Sequence, residues 1–283
     1  MPSENSLLIN GNRFSFEPGE TILEVAHRNS IDIPTLCYLK RATPTGACRM
    51  CVVEVKGARS LVASCAAPAA PNMEVQTETA KVVEARRMVL QLLLSSGNHN
   101  CAVCGSTADN WTEFQLKVQQ AEDGTELCPV WGDCRLQDLA FRYQVTGERF
   151  EATETAYPME TANPFILRDF SRCIQCGRCV QACNEVQVNQ AIHFGYRGAA
   201  TKIVAAGDRP YINSDCVFCG ECVQACPVDA LNERAFERHK CWNRLNENRY
   251  MLDYFSDLPE STHVCGKCAA LMPCSFINPV AQL

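Results

Sequence analysis

Twenty cysteines in 283 residues, falling into five groups of four, constrain this chain more than any other feature. The groups are Cys37, Cys48, Cys51, Cys65; Cys101, Cys104, Cys128, Cys134; Cys173, Cys176, Cys179, Cys183; Cys216, Cys219, Cys222, Cys226; and Cys241, Cys265, Cys268, Cys274. The opening MPSENSLLIN has no basic segment followed by an apolar run, so it reads as no secretory signal. A chain kept in a reducing, cytoplasmic compartment gains little from a disulfide scaffold, and its cysteines point to metal. Four thiolates are the usual complement of one iron–sulfur cluster.

Charge and hydropathy exclude other classes. Lys and Arg number 26 against 32 Asp and Glu, a net of −6 that lacks the basic footprint of a nucleic-acid binder. The longest apolar stretch, residues 88–94, is broken by Gln91 and is too short to span a bilayer. A hydrophobic content of 47% suits a packed protein rather than a disordered one.

Residues 1–80 read as a small mixed domain. Segments 7–9 and 13–16 flank Asn10-Gly11, a two-residue hairpin signal. Thr21 with Glu24 predicts a capping box and a short helix to about Asn29, and Pro34 prevents its continuation. Segments 51–55 and 73–77 read as strands. Hairpin, helix, cysteine loop and strands together suggest a β-grasp [2Fe–2S] ferredoxin domain, within an α+β chain. Its quartet spaces as Cys37-x10-Cys48-x2-Cys51-x13-Cys65, and Gly46, Ala47 and Ala63 let backbone N–H groups approach the sulfurs.

Residues 81–150 read as helical. Val82, Val83, Met88, Val89, Leu92 and Leu93 predict one apolar face ended by Gly97. Further helices are expected over 111–120 and 136–143, then a linker over 148–163. Cys101, Cys104 and Cys134 need a fourth partner, either Cys128 or His99, for a [4Fe–4S] cluster. A neutral imidazole ligand would make that cluster less negative and raise its potential.

Residues 164–235 hold an internal repeat, RCIQCGRCVQACNE and DCVFCGECVQACPV. Each run is Cys-x2-Cys-x2-Cys-x3-Cys, whose fourth cysteine ligates the other cluster in two-cluster ferredoxins. The expected sets are Cys173, Cys176, Cys179, Cys226 and Cys183, Cys216, Cys219, Cys222. Pro227 follows the second run, and Asn184 replaces it in the first. The extension 236–283 carries Cys241, Cys265, Cys268 and Cys274, read as a [4Fe–4S] site with structural zinc as the alternative. His27, His193, His239 and His263 are read as structural. There is no G-x-G-x-x-G after a strand, no phosphate-binding loop and no serine or zinc hydrolase motif.

GACRMCVVEVKG, GNHNCAVC, GDCRLQDLA and the two cysteine runs carry a resemblance. They resemble the N-terminal iron–sulfur region shared by the complex I large subunit, [FeFe] hydrogenases and NAD-dependent formate dehydrogenases. The compact H-x-C spacing is most similar to the small diaphorase iron–sulfur subunit of bidirectional NAD-linked [NiFe] hydrogenases. There are two departures: 29 residues separate Cys104 from Cys134 where the family has five, and the extension is absent from the typical small subunit. The resemblance implies an electron-transfer subunit with one [2Fe–2S] and three to four [4Fe–4S] clusters. Its expected partners are a flavin-bearing NAD(P)H-oxidising subunit and a catalytic hydrogenase or formate dehydrogenase subunit. It implies no bond-making on substrate by this chain. Met272-Pro273-Cys274 is similar to one active-site motif of [FeFe] hydrogenases, and a catalytic iron–sulfur enzyme is the remaining alternative.

Overall fold

The computed structural model describes residues 5–96, 134–145, 150, 157–163 and 165–233. The expected helix over 111–120, His99, Cys101, Cys104, Cys128 and the quartet Cys241, Cys265, Cys268, Cys274 lie outside the described residues. So do His239 and His263. The chain divides into two compact units, Met1–Thr155 and Ala156–Leu283.

The first unit opens with the hairpin β1 (Ser6–Ile9) and β2 (Asn12–Ser15), paired antiparallel. Asn10 (φ 52°) and Gly11 (φ 83°) both take the left-handed conformation, which a tight hairpin turn of this kind requires. Helix α1 (Ile22–Arg28) starts at the expected reciprocal cap: the Glu24 N–H donates to the Thr21 hydroxyl, and the Thr21 N–H donates to the Glu24 carboxylate. Its Ile22, Leu23, Val25 and Ala26 are buried under the sheet. Strands β3 (Val52–Val55), β4 (Val62–Ala63) and β5 (Glu74–Gln76) complete a five-stranded sheet in the order β2-β1-β5-β3-β4. The β1–β5 pair is parallel and central, and the other pairs are antiparallel. The core between α1 and the sheet is aliphatic, built on Leu7, Ile9, Ile22, Leu23, Val53 and Val75.

Helix α2 (Ala80–Ser95) follows, capped by the Thr79 hydroxyl, and packs on β3 and on α3 (Arg135–Arg142). The apolar face expected from the sequence is corrected here. Leu92 is 49% exposed, and the buried stripe runs Val82, Arg86, Leu90, Leu94. These sit four apart, one above the other on one helix face. The stripe includes a fully buried arginine, which no apolar pattern signals.

The second unit is a two-fold repeat of strand, cysteine run, helix and strand. The first half contributes β6 (Ile166–Arg168), α4 (Arg178–Gln181) and β7 (Ile192–Gly195). The second contributes β8 (Lys202–Ala205), α5 (Glu221–Ala225) and β9 (Leu231–Glu233). The halves exchange strands: β6 pairs with β9 and β7 with β8, both antiparallel. No helix among the described residues is long and apolar enough to cross a membrane.

Candidate metal centres

In the first unit the quartet Cys37, Cys48, Cys51 and Cys65 comes together. The Cys37 N–H donates to the Cys48 sulfur and the Cys48 N–H to the Cys37 sulfur, each at 3.4 Å. The four sulfurs also fall into two hydrogen-bonded thiol pairs. The Cys48 thiol holds Cys37 down at about 5, and the Cys65 thiol holds Cys51 at about 6. The donor thiols Cys48 and Cys65 are pushed up by the same bonds and by burial. Such a site keeps protons only until a cation replaces them, so metal loading releases protons. Gly46 supplies the left-handed turn (φ 60°) that lets this loop lie 3.7 Å, measured from a built Cβ, from Ala63 and Ala66. Cys37, Cys51 and Cys65 are buried and Cys48 is half-buried.

Three hydrogen bonds immobilise the later ligands. The Ser64 hydroxyl donates to the Cys51 carbonyl (2.7 Å), so Cys65 is tied to Cys51 through its own neighbour. Arg86 donates to the carbonyls on either side of Cys51, Met50 (3.0 Å) and Val52 (2.9 Å).

In the second unit the repeat is visible in the backbone. Gln175 and Phe218 have φ of 52° and 55°, and Gly177 and Gly220 have 79° and 78°. Alternating the handedness in this way curls the chain so that N–H groups face inward, a concavity suited to anionic sulfur. The Gln175 N–H reaches the Cys173 sulfur at 3.4 Å. Cys173, Cys176, Cys179 and Cys226 line one cavity together with Arg168, Phe170, Ile174 and Leu231; it holds about 460 Å³, counting its open side. That three of these come from the first run and one from the second is the interleaving expected from the sequence. Burial pushes the Cys173 thiol up to about 11, that of Cys176 to about 12, and that of Cys179 further. The neighbouring Cys226 adds to each of these shifts.

Burial raises the Cys222 thiol first, and its neighbours Cys216, Cys219, Cys183 and Cys226 add to the shift in that order. The Ala191 N–H donates to the Cys183 sulfur at 3.4 Å. Cys183 reaches this second site because its half leaves the helix differently. Cys226 turns out of α5 in an extended conformation, and Pro227 can continue no helix. Asn184 carries an N–H, and the chain runs on through a wide turn, Ala182–Val186, in which the Gln187 N–H bonds the Ala182 carbonyl five residues back (3.0 Å).

Donor chemistry and geometry therefore fit iron–sulfur clusters. Soft thiolates surround a void lined by apolar side chains and approached by N–H groups, whereas a single ion would need the ligands to converge on one point. Arg168, 3% exposed, lines the same cavity; it pairs with Glu160, donates to the Ile203 carbonyl and stacks 3.8 Å from the centre of the Tyr211 ring. Cys134 is buried and forms the N-cap of α3. His27 and His193 bond the carbonyls of Ile33 and Gln190, consistent with structural roles.

Gly177 offers a direct check on this backbone. A Cβ there would stand 3.2 Å from the Phe194 ring in a left-handed conformation. Gly177→Ala is expected to cost about 1–2 kcal/mol, read as a lowered Tm of the holo chain, whereas Ala at an exposed helical site would leave Tm unchanged.

Comparison with known proteins agrees with this geometry. Residues 4–80 match the 2Fe-2S iron-sulfur cluster binding domain family, and residues 172–230 match the 4Fe-4S dicluster domain family. The NADP-reducing hydrogenase subunit HndD of Solidesulfovibrio fructosivorans is 34% identical over 82% of this chain and 36% of its own length. The mitochondrial NADH-ubiquinone oxidoreductase 78 kDa subunit of Neurospora crassa is 30% identical over 83% of this chain and 28% of its own. The chain thus spans about a third of the length of these curated relatives. A chain in the crystal structure of NAD+-reducing [NiFe]-hydrogenase in the H2-reduced state superposes with a TM-score of 0.68 at 30% identity, over 82% of this chain and 88% of that one. With one [2Fe–2S] domain and one two-cluster [4Fe–4S] domain on a single polypeptide, this chain belongs to the family of iron–sulfur electron-transfer subunits that includes those of the NAD(P)-reducing hydrogenases and the 78 kDa subunit of NADH-ubiquinone oxidoreductase.

Proposed function

We propose that this chain relays electrons, in a cytoplasmic complex, between a flavin-bearing subunit that oxidises NAD(P)H and a catalytic [NiFe] hydrogenase subunit. The observation that carries this reading is the correspondence, over most of both chains, with a chain of NAD+-reducing [NiFe]-hydrogenase. The same relay role in a formate dehydrogenase is the second reading. Clusters held by the cysteine quartets supply reversible one-electron storage, with no atom transferred to a substrate. The protein's part is to space them, to exclude water and to aim N–H groups at the sulfurs.

In this reading Cys37, Cys48, Cys51 and Cys65 hold the [2Fe–2S] cluster. Cys173, Cys176, Cys179 and Cys226 hold one [4Fe–4S] cluster, and Cys183, Cys216, Cys219 and Cys222 hold the second. Cys101, Cys104 and Cys134 hold a third together with Cys128, with His99 as the alternative ligand. Cys241, Cys265, Cys268 and Cys274 hold a fourth, or a zinc ion. The units Met1–Thr155 and Ala156–Leu283 contain the four proposed domains, 1–80, 81–150, 164–235 and 236–283.

The test is reconstitution. The anaerobically purified chain alone should fail to oxidise NADH with a dye acceptor. Adding a flavin-bearing NADH-oxidising subunit of the hydrogenase type should bleach the cluster absorbance of this chain when NADH is supplied. Rapid NADH-driven dye reduction by the chain alone, or no bleaching in the mixture, overturns the proposal.

A further inference from the structure

Arg86 is the most enclosed charged side chain among the described residues, with 0% exposure. It belongs to no recognised motif, yet two of its bonds converge behind one cluster ligand. Its Nε and Nη2 donate to the Met50 and Val52 carbonyls that flank Cys51. Its Nη1 donates to Glu78 (2.7 Å) and to the Tyr143 hydroxyl (2.8 Å). Lysine could not do this, because only the planar guanidinium reaches several acceptors in fixed directions at once.

Two consequences follow from this placement. Position comes first: Cys51 cannot shift along the strand without breaking a charge-assisted bond on one side or the other. Tyr143 caps the end of α3, and Cys134 is the N-cap of α3, so the same guanidinium ties the Cys51 loop to the helix that follows a ligand candidate of the next site. The second consequence is electrostatic. A buried cation acts strongly through low-dielectric surroundings, and it favours whichever state of a nearby group is more negative. For an iron–sulfur site that is the reduced state. Glu78, its carboxylate 45% exposed and so partly screened by water, offsets this charge only in part.

We propose that Arg86 is a positioning residue of the [2Fe–2S] site that also raises its reduction potential, with Glu78 as the counter-charge that limits the rise. The proposal rests on the reading of Cys37, Cys48, Cys51 and Cys65 as the ligands of that cluster.

The experiment is a redox titration of the full holo chain, followed through the electron paramagnetic resonance signal of the reduced [2Fe–2S] cluster. Arg86→Gln should lower the midpoint potential by at least a tenfold shift in the reduction equilibrium, 59 mV for a one-electron couple. Glu78→Gln should move it the opposite way by a smaller amount. Arg86→Lys should keep the potential nearer that of the parent than Arg86→Gln does, because it retains the charge, while broadening the signal through loss of the fixed bonds. Opposite signs for the two Gln variants cannot come from loosened packing alone. Shifts of the same sign, or no shift, overturn the proposal. If Arg86→Gln yields no folded protein, Glu78→Gln decides alone, since its side chain is half in solvent. Cys51→Ala tests the underlying reading separately. If the [2Fe–2S] signal survives that change unaltered, the ligand assignment fails. If the signal is lost and the Gln variants leave the potential unmoved, only the role of Arg86 fails.

Discussion

The double variant Cys173→Ala/Cys226→Ala should lose about four iron atoms, whereas Cys222→Ala/Cys226→Ala should lose about eight. Both remove two thiols from the same unit, so their difference reports on which cysteines share a cluster. Cys173 and Cys226 stand in different runs of the sequence but line one cavity. Cys222 and Cys226 stand in the same run, but Cys226 lines that cavity and Cys222 does not, and Cys216, Cys219 and Cys183 act on Cys222 more strongly than Cys226 does. Anaerobic iron analysis of the purified variants gives the answer, against about 18 iron atoms for the parent if all five quartets carry clusters. About 14 with one zinc would assign zinc to the fifth quartet. The reverse order of losses, eight for the first variant and four for the second, would mean that each run holds its own cluster.

Stripping the iron should affect the two units unequally. In the first unit, among the described residues, one core cluster has thirteen buried members of which two, Cys51 and Cys65, are proposed ligands, and a five-stranded sheet with a packed helix surrounds them. In the second, Cys179, Cys183 and Cys222 belong to the buried core, and Cys173, Cys216 and Cys226 pack against it. Among the described residues its strands pair two by two, and its helices α4 and α5 have four and five residues. Two-stranded pieces and one-turn helices have no independent stability in water. Bound clusters would complete an interior that otherwise rests on a few side chains such as Ile192, Ile203 and Tyr211, so their binding energy would contribute much of its folding energy. Acid removal of iron under reducing conditions, followed by return to neutral pH, should leave slow-exchanging amides in β1, β3 and β5 and none in β6–β9. Protection of β6–β9 in the iron-free chain would show that packing alone suffices there.

Much of this architecture was legible in the sequence where a local rule decides the outcome. Asn10-Gly11 can hardly do other than turn, and Thr21 with Glu24 caps a helix wherever it falls. The proposed pairing of the cysteine runs is read from their Cys-x2-Cys-x2-Cys-x3-Cys spacing, whose fourth cysteine ligates the other cluster in two-cluster ferredoxins. The short strand β4 escaped notice, since two residues carry no periodicity and exist only because β3 lies beside them. The β7–β8 hairpin escaped for the same reason: its strands pair with each other across a turn that no Asn-Gly or Asp-Gly announces. Arg86 could not be read at all. Its burial is permitted by carbonyls 34 and 36 positions earlier and a hydroxyl 57 positions later, none of which marks itself in a helix pattern. The sequence-based face placed Leu92 inside because it counted apolar residues, whereas the folded chain counts satisfied bonds.

The exchange of ligands between the two cysteine runs also sets an order of manufacture. Chains emerge from the ribosome amino-terminus first, and domains mature as units in that direction. The [2Fe–2S] quartet is complete once Cys65 has been translated. In the second unit, under the proposed ligand sets, Cys173, Cys176 and Cys179 wait for Cys226, some forty-seven residues later, while Cys183 waits for Cys222. Neither four-iron site can close on a half-made product, and both close within four residues of each other. With these ligand sets, a chain released with an end between 184 and 221 would carry thiols with no complete cluster site, open to oxidation or to the wrong metal. Scaffold proteins that deliver clusters would meet this unit as a single late event, with two clusters to install on a chain that cannot yet fold without them.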